Sequence, residues 1–294
     1  MDKKQIFSKI GLGLALTIII GQLLPGLVIV IIPGLAPFAL EVTYLCLYGV
    51  AVPLMLLMWK NLPRVSIEKR SDFGIFRLMG ASCLGLLGMY VVNIAYLLVM
   101  ILFTGELNNI VADAMENMNL WSIALFMVII APIAEELIFR KLFYGLLAGY
   151  GKKVFIIASS IIFGLYHMNI GQAMYAFLIG LILAWIYSET GKIQYTIVAH
   201  MVINFIGSLL PLLISDNEVL TILFGVSVMV IMMAGIVFLV VTISRQRKSQ
   251  VPLISNEVLE PIRVRDVFSN LGMIVYLSLC MIIMFIVQVM MLII

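Results

Sequence analysis

The amino-acid sequence predicts an all-α fold, a polytopic bundle of transmembrane helices. Two observations carry this prediction: hydrophobic residues make up 64% of the 294-residue chain, and charged residues make up only 11%. A soluble globular domain has about 45–50% apolar and about 25% charged residues. With a mean hydropathy of +1.19, this chain lacks the polar surface that a soluble domain needs. The net charge of +3 therefore reflects membrane topology, and we expect no nucleic-acid partner.

Nine apolar stretches are the candidate membrane helices. A helix needs about 20 apolar residues to cross a bilayer. The first stretch has 23 residues, which is longer than the apolar region of a signal peptide, about 7–15 residues, so it predicts a retained helix. The fifth and sixth stretches are short, at about 17 and 16 residues, and we expect eight to nine spans. The stretches are 10–32, 38–59, 74–103, 121–149, 153–169, 172–187, 194–214, 219–243 and 271–294.

The distribution of charge predicts the orientation of these spans. Cytoplasmic loops of membrane proteins carry an excess of Lys and Arg. If the N-terminus is cytoplasmic, all 18 basic residues fall at the inner side, and the outer loops carry acidic residues only. The outer acidic residues are Glu41, Glu106, Asp113, Glu116, Asp216 and Glu218. We therefore expect a cytoplasmic N-terminus and an odd number of spans.

Polar groups within apolar sequence mark a candidate functional site. The chain has only two histidines, His167 and His200, and both lie in apolar stretches. Glu135 and Glu136 form a carboxylate pair inside another hydrophobic run. Ionisable groups inside a bilayer are costly and therefore rare, so their presence indicates a functional site by default.

Helical spacing suggests a role for each member of these motifs. Residues at i and i+4 share a helix face, so Glu136 and Arg140 are expected to form a structural ion pair. Glu135 lies five residues before Arg140, points elsewhere, and is the candidate general base. Phe163 shares a face with His167 and is interpreted as a supporting packing residue.

The spacing around two predicted turns brings the motifs to similar depths. Glu135 lies 16 residues before Gly151 and His167 lies 16 residues after it. In an antiparallel hairpin, equal distance from the turn means equal depth, because each residue rises about 1.5 Å. His200 and Asn204 share a face of the seventh predicted helix and come out somewhat shallower. We therefore expect three helices to converge on one site.

Glutamate, histidine and amide groups at one depth indicate hydrolytic chemistry. Glu135 can take a proton from water, and His167 can hold the same water or pass the proton to a leaving amine. His200 and Asn204 can donate hydrogen bonds to the oxyanion that forms on an attacked carbonyl. Pro132 is expected to leave a backbone carbonyl free one turn before the base and to bend the fourth helix around a water-filled cavity.

The ordered set of motifs resembles the CAAX protease and bacteriocin-processing family, CPBP, also called Abi. Its eukaryotic branch contains the type II CAAX prenyl endopeptidases. The resemblance rests on E-E-x-x-x-R from Glu135, F-x-x-x-H from Phe163 and H-x-x-x-N from His200. It covers about residues 121–214, roughly a third of the chain. No single motif is specific, but the three motifs in this order are.

The resemblance implies an intramembrane endopeptidase of the CAAX type. It implies that Glu135 and His167 activate water, that His200 and Asn204 form an oxyanion hole, and that a conical cavity opens to the cytosolic side. It also implies a mechanism without a metal, so we expect no cofactor. Zinc stays the runner-up, because Glu135, His167 and His200 are residue types that bind zinc, although the chain has no H-E-x-x-H.

The resemblance also shapes the expected domain organisation. We expect a single membrane domain over residues 1–294, with the protease core at 121–214 and accessory helices at 1–120 and 219–294. The inner loop at about 244–270 carries five basic residues. It is interpreted as a solvated connector or, alternatively, as a docking arm for a partner or anionic lipid.

The expected partners are a peptide or protein substrate with a hydrophobic terminus and the surrounding membrane lipid. The resemblance implies bacterial peptide processing, signalling or bacteriocin immunity. Composition and the lack of an organellar targeting segment favour a multi-pass protein of the cell membrane, in a bacterium the plasma membrane. The sequence does not predict the oligomeric state.

Two other classes of function compete with proteolysis. The first is a non-catalytic membrane scaffold or sensor-kinase regulator with the same fold, although a scaffold has no reason to keep these buried polar groups. The second is a proton-coupled transporter that uses Glu and His as a relay. The lack of inverted repeats and the clustering of polar residues in one half of the chain count against transport.

Overall fold

The predicted all-α membrane fold is confirmed. A computed structural model describes residues 2–66, 72–105, 115, 118–246 and 262–293, and these contain helices and no strand. Eight of the helices in this part of the chain are long and apolar enough to cross a membrane. In chain order the helices are α1 (Lys3–Ile31), α2 (Pro33–Trp59), α3 (Ile75–Thr104), α4 (Leu120–Tyr150), α5 (Lys152–Leu165), α6 (Ile170–Thr190), α7 (Ile193–Ile214), α8 (Glu218–Gln246), α9 (Val264–Phe268) and α10 (Leu271–Ile293). The cytoplasmic orientation of the N-terminus stays a prediction.

Helix capping explains where the helices depart from the predicted spans. The predicted fifth span, 153–169, forms only a 14-residue helix, α5, because the chain turns at Tyr166 and His167. The sixth has 21 residues rather than about 16. It is longer because the side chain of Asn169 caps its start and Gly191, in the left-handed conformation at φ 62°, ends it. Among the described residues, α5 is therefore the predicted span that falls short of a membrane-crossing length.

Some predicted features lie outside the described residues. These are the central part of the 244–270 loop, residues 247–261, and several charged residues used to predict the orientation. The charged residues are Lys69, Arg70, Glu106, Asp113, Glu116, Arg247 and Lys248.

The chain forms two compact units, of which the first comprises Met1–Arg64 and Ile262–Ile294. In this unit α1 packs against α2 and α10. The Trp59 indole nitrogen donates to the Lys9 carbonyl at 3.0 Å. Helix α1 begins at Lys3, before the apolar run, because Asp2 and Gln5 form a reciprocal capping box.

The second unit, Val65–Pro261, contains α3 to α8 and all three motifs. Helix α6 packs against α3, α5 and α7, and α8 packs against α3. The α5–α6 contact is close at Gly164, where a Cβ atom would lie 2.7 Å from the Ala173 carbonyl oxygen. A buried apolar cluster joins α3, α6 and α7, and its members are Phe73, Leu78, Ala81, Leu86, Ile179, Leu183, Ile186, Ala199 and Ile203.

Candidate active site

Helices α4 and α7 carry the polar motifs next to stretches of π-helix. In α4, the α-helical turn Ala131–Glu136 lies between π-helical stretches Ile123–Ile130 and Leu137–Leu142. In α7, the α-helical part ends at Asn204 and a π-helical stretch, Phe205–Leu209, follows. Short π-helical stretches are rare and are often found at functional sites.

The predicted ion pair between Glu136 and Arg140 is present and fully buried. Arg140 Nε lies 3.1 Å from Glu136 Oε2, and both side chains are 0% exposed. The contact is ionic, since neither Arg140 Nε nor Glu136 Oε2 makes a hydrogen bond. The guanidinium also stacks over the Phe163 ring, with Cζ 4.7 Å from the ring centroid. The two charges make each other tolerable in a low-dielectric environment.

Glu136 has a second partner that the sequence analysis missed. His200 Nδ1 lies 3.0 Å from Glu136 Oε1, and both groups are buried. Because Glu136 is paired with Arg140, its carboxylate is ionised and can only accept. The hydrogen of this contact therefore belongs to His200 Nδ1. Nε2 is the ring nitrogen that Glu136 does not contact.

Glu135 lies on the other side of the same imidazole. Its Oε2 atom is 3.8 Å from His200 Nε2, and its side chain is 14% exposed. A polar contact of this length is beyond direct hydrogen bonding and is compatible with a bridging water. Glu135 is also within electrostatic range of Arg140 and of His167. The structure thus places the candidate base beside His200, and its charge also acts on His167.

His167 lies in the turn just after α5, and its ring is oriented by its own helix. Its Nδ1 donates to the Phe163 carbonyl at 2.9 Å, and its backbone N–H donates to the Gly164 carbonyl at 3.2 Å. The carbonyl can only accept, so Nδ1 carries the hydrogen and Nε2 is the basic nitrogen of the neutral ring.

The Phe163 ring is the common neighbour of both histidines. Its centroid lies 4.9 Å from that of His167 and 5.8 Å from that of His200, both in edge-to-face geometry. With Arg140 stacked on the same ring, Phe163 contacts one residue of each motif. The predicted packing role of Phe163 therefore extends beyond His167 to the whole site.

Asn204 reaches α4 through a backbone group that Pro132 leaves without a donor. Ala131 donates to the Phe126 carbonyl, five residues earlier. In this π register the next carbonyl, that of Met127, faces Pro132, which has no N–H. Asn204 Nδ2 donates to Met127 at 2.9 Å. The free carbonyl expected from Pro132 is therefore met by a side chain of α7, and one of the two amide hydrogens of Asn204 is used for this contact.

Thr196 is a further buried residue at the site that the motifs did not single out. It lies one turn before His200 on the same face of α7 and is 0% exposed. Its hydroxyl donates to the Ile193 carbonyl at 3.0 Å and is near enough to the Glu136 carboxylate to interact with it electrostatically. The i−4 spacing from His200 was the signal in the sequence that could have identified it.

The geometry does not fit the alternative zinc site of Glu135, His167 and His200. Among the residues that the structure describes, no three His, Cys, Asp or Glu side chains are arranged to hold one metal ion. His200 also directs Nδ1 to Glu136 rather than to a shared centre. We therefore derive no step through a metal.

Comparison with known proteins adds an independent observation. Residues 117–206, which include all three motifs, match the family described as type II CAAX prenyl endopeptidase Rce1-like. No solved structure matches the chain.

Two curated bacterial proteins are similar to parts of the chain. The "Putative membrane peptidase YdiL" of Bacillus subtilis (strain 168) is 38% identical over 79 residues, which cover 26% of this chain and 32% of that protein. The "UPF0177 protein YxdF" of Lactococcus lactis subsp. lactis (strain IL1403) is 28% identical over 134 residues, which cover 45% of this chain and 75% of that protein. The similarity thus spans about a third of the first relative and three quarters of the second.

The match at residues 117–206 coincides with the helices that form the polar cluster. The resemblance predicted from the three motifs is therefore confirmed: over these residues, the chain is similar to the Rce1-like type II CAAX prenyl endopeptidases.

Proposed function

We propose that this protein is an intramembrane endopeptidase that uses Glu135 and His167 to activate water. The observation that carries the proposal is the buried cluster in which His200 contacts both Glu135 and the Glu136–Arg140 pair. A buried ion pair is weak evidence of stability alone, but a partly exposed carboxylate beside two oriented imidazoles is an arrangement suited to acid–base catalysis.

The proposed first step is attack of water on the scissile carbonyl. A water held by Glu135 and by Nε2 of His167 loses a proton to the Glu135 carboxylate as its oxygen bonds to the carbonyl carbon. The carbonyl electron pair moves to the oxygen and forms the oxyanion. In the second step the C–N bond breaks, and the nitrogen leaves as an amine after taking the proton from Glu135 or through His167.

Asn204 and His200 are the proposed donors to the oxyanion. Asn204 has a second amide hydrogen besides the one given to Met127. His200 gives its Nδ1 hydrogen to Glu136, so it can donate to substrate only through a protonated Nε2, that is, as an imidazolium. This refines the expectation from sequence, which left the protonation of His200 open.

The proposed substrate is a peptide or protein with a hydrophobic terminus that enters from the membrane. Both curated relatives are bacterial, which supports peptide processing, signalling or bacteriocin immunity at a bacterial plasma membrane. Long apolar helices place the protein among multi-pass membrane proteins. The core at 121–214 with accessory helices on either side is part of the same proposal.

The test is a comparison of Glu135→Gln with a matched Glu189→Gln variant. Glu189 is also a glutamate of the second unit, but it is paired with Lys152 and 31% exposed. Membranes that contain each variant would be incubated with cellular peptides, and new termini would be identified by mass spectrometry. We expect Glu135→Gln to lose products that wild type and Glu189→Gln both form, with 1,10-phenanthroline having no effect.

Each contrary outcome identifies another function. If 1,10-phenanthroline abolishes the products of wild type, the protein is a zinc peptidase. Identical peptides from wild type and Glu135→Gln, with altered signalling, indicate the scaffold or sensor-kinase regulator. Identical peptides with loss of gradient-driven uptake indicate a transporter.

A further inference from the structure

The turn between α5 and α6 contains a backbone conformation that is rare for a residue with a side chain. Among the described residues, positive φ angles occur at Met168, where φ is 53°, and otherwise only at glycines. In the left-handed region the Cβ atom comes too close to a carbonyl oxygen, so most residues other than glycine avoid it. Such outliers cluster at functional sites, and Met168 directly follows His167, the histidine assigned to the attacking water.

The chain has little freedom in this turn. The end of α5 tightens, because the backbone N–H groups of His167 and Met168 each donate to the carbonyl three residues earlier, at 3.2 and 3.1 Å. Asn169 is already extended, with φ −130° and ψ 130°, and its side chain accepts from a backbone N–H in the first turn of α6 at 2.9 Å. Met168 is therefore the residue at which the chain changes direction between the two helices.

Close packing of α5 on α6 keeps the turn short. A Cβ atom on Gly164 would lie 2.7 Å from the Ala173 carbonyl oxygen, and the Ala173 N–H donates to the Asn169 carbonyl at 2.7 Å. The first turn of α6 thus lies directly against the last turn of α5. A right-handed conformation at Met168 would continue the tightened end of α5 and carry Asn169 away from its capping position.

We propose that Met168 is a positioning residue for the active site, whose left-handed conformation holds His167 in this turn. There the ring keeps Nδ1 on the Phe163 carbonyl and presents Nε2 as its basic nitrogen. Met168 acts through His167 and needs no contact with the substrate. The consequence for catalysis rests on the proposed function, whereas the consequence for the resting turn does not.

The first test compares the thermal stability of Met168→Gly and Met168→Ala in micelles. Both variants remove the half-buried Met side chain, but only Gly adopts the left-handed conformation without a penalty. We therefore expect the Gly variant to have the higher Tm. The matched control is Met232, which is also half-buried but lies inside α8. There Ala should have the higher Tm, because Gly weakens a helix interior. The same order at both positions would overturn the role of the Met168 conformation.

The second test reads the His167 ring and needs no substrate. The chain has only two histidines, so ¹⁵N-histidine labelling gives two imidazole spin systems, and a His167→Asn variant assigns them. At alkaline pH, where an ordinary imidazole is neutral, we expect wild type to show His167 protonated at Nδ1. Met168→Val should show a mixture in which Nε2–H appears, because a β-branched residue avoids positive φ. Met168→Asn, which tolerates this region, should restore the wild-type signals.

The third test measures peptide cleavage with any product identified for wild type. We expect Met168→Val to lower kcat by roughly tenfold, the scale on which the left-handed conformation is disfavoured, with little change in KM. Met168→Asn should recover most of this loss, and Met232→Val should leave kcat unchanged.

The outcomes separate the two proposals. An unchanged His167 spectrum in Met168→Val, or equal effects of the Val and Asn variants, overturns the role of Met168. A changed spectrum that Asn restores, in a protein that cleaves no peptide, supports Met168 as the residue that holds His167 and overturns the protease function. If Met168→Val does not fold, the Tm order of the Gly and Ala variants decides the question.

Discussion

The buried pair Glu136–Arg140 allows a sharp test of how the charges in this membrane domain are stabilised. The perturbation is a double-mutant cycle of Glu136→Gln, Arg140→Met and the combination. Coulomb's law at the observed separation of 3.1 Å, with an effective dielectric constant of about 20, gives about 5 kcal/mol of attraction. Removing one partner of a buried pair typically costs about 3–5 kcal/mol, because the other charge stays buried alone.

A matched pair in the same unit serves as the control. Lys152 and Glu189 form an ion pair between α5 and α6, but their side chains are 28% and 31% exposed. Pairs exposed to solvent contribute about 0.2–1 kcal/mol. A second cycle, with Lys152→Met and Glu189→Gln, should therefore give a coupling energy several times smaller than the first.

The assay is reversible unfolding of the purified protein in mixed micelles, followed by circular dichroism. We expect each single variant at Glu136 or Arg140 to lose several kcal/mol of unfolding free energy. The double variant should lose less than the sum of the two single losses. The cycle subtracts any change in the hydrogen bond from His200, because the single and the double variant carry the same Glu136→Gln substitution. Coupling energies for the two pairs that agree within 1 kcal/mol would refute the burial argument.

Two further predictions concern packing and surface charge. Gly164→Ala adds a Cβ 2.7 Å from a backbone carbonyl of α6, so we expect a loss of about 1–3 kcal/mol and reduced cleavage through displacement of His167. Gly225→Ala, in open space, should lose neither stability nor activity, and equal effects of the two variants would contradict the packing. Hydrogen bonding to Lys192 lowers the pKa of Asp72. The contribution of ionised Asp72 to stability is therefore present above about pH 4 and is lost as the pH falls through the lowered pKa. Asp72→Asn should therefore lower Tm slightly at pH 7, and the difference from wild type should vanish in acid or high salt.

Contacts within one helix could be predicted from the sequence, since they depend on local periodicity. The i,i+4 spacing predicted the Glu136–Arg140 ion pair, and the same spacing placed Phe163 on His167. The all-α membrane class could be predicted from hydropathy. In lipid, a run of about 20 apolar residues must satisfy its backbone hydrogen bonds internally, and a helix does so.

Contacts between helices depend on rotations that the sequence pattern does not encode. The bond between Glu136 and His200 joins residues 64 positions apart. This bond could be predicted only with the knowledge that α4 is π-helical on both sides of the carboxylates. Sequence spacing at 3.6 residues per turn therefore could not show that Glu136, as well as Glu135, faces α7.

The role of Asn204 shows the same limit. From Pro132, an α-helix would leave the Val128 carbonyl without a donor, four residues earlier. The π register moves this carbonyl to Met127, where Asn204 binds it. The sequence thus predicted a carbonyl without a backbone donor near Pro132. Which carbonyl this is, and that Asn204 binds it, depended on the tertiary structure.

The π-helical stretch before Pro132 makes the contact between α4 and α7 compatible with a shorter chain. Met127 lies five residues before Pro132, and deletion of one residue between Val128 and Ile130 would place it four residues before the proline. If the stretch then returned to α geometry, the carbonyl left without a donor would again be that of Met127, and it would still face Asn204. Glu136 and Arg140 lie beyond the deletion and would keep their pairing.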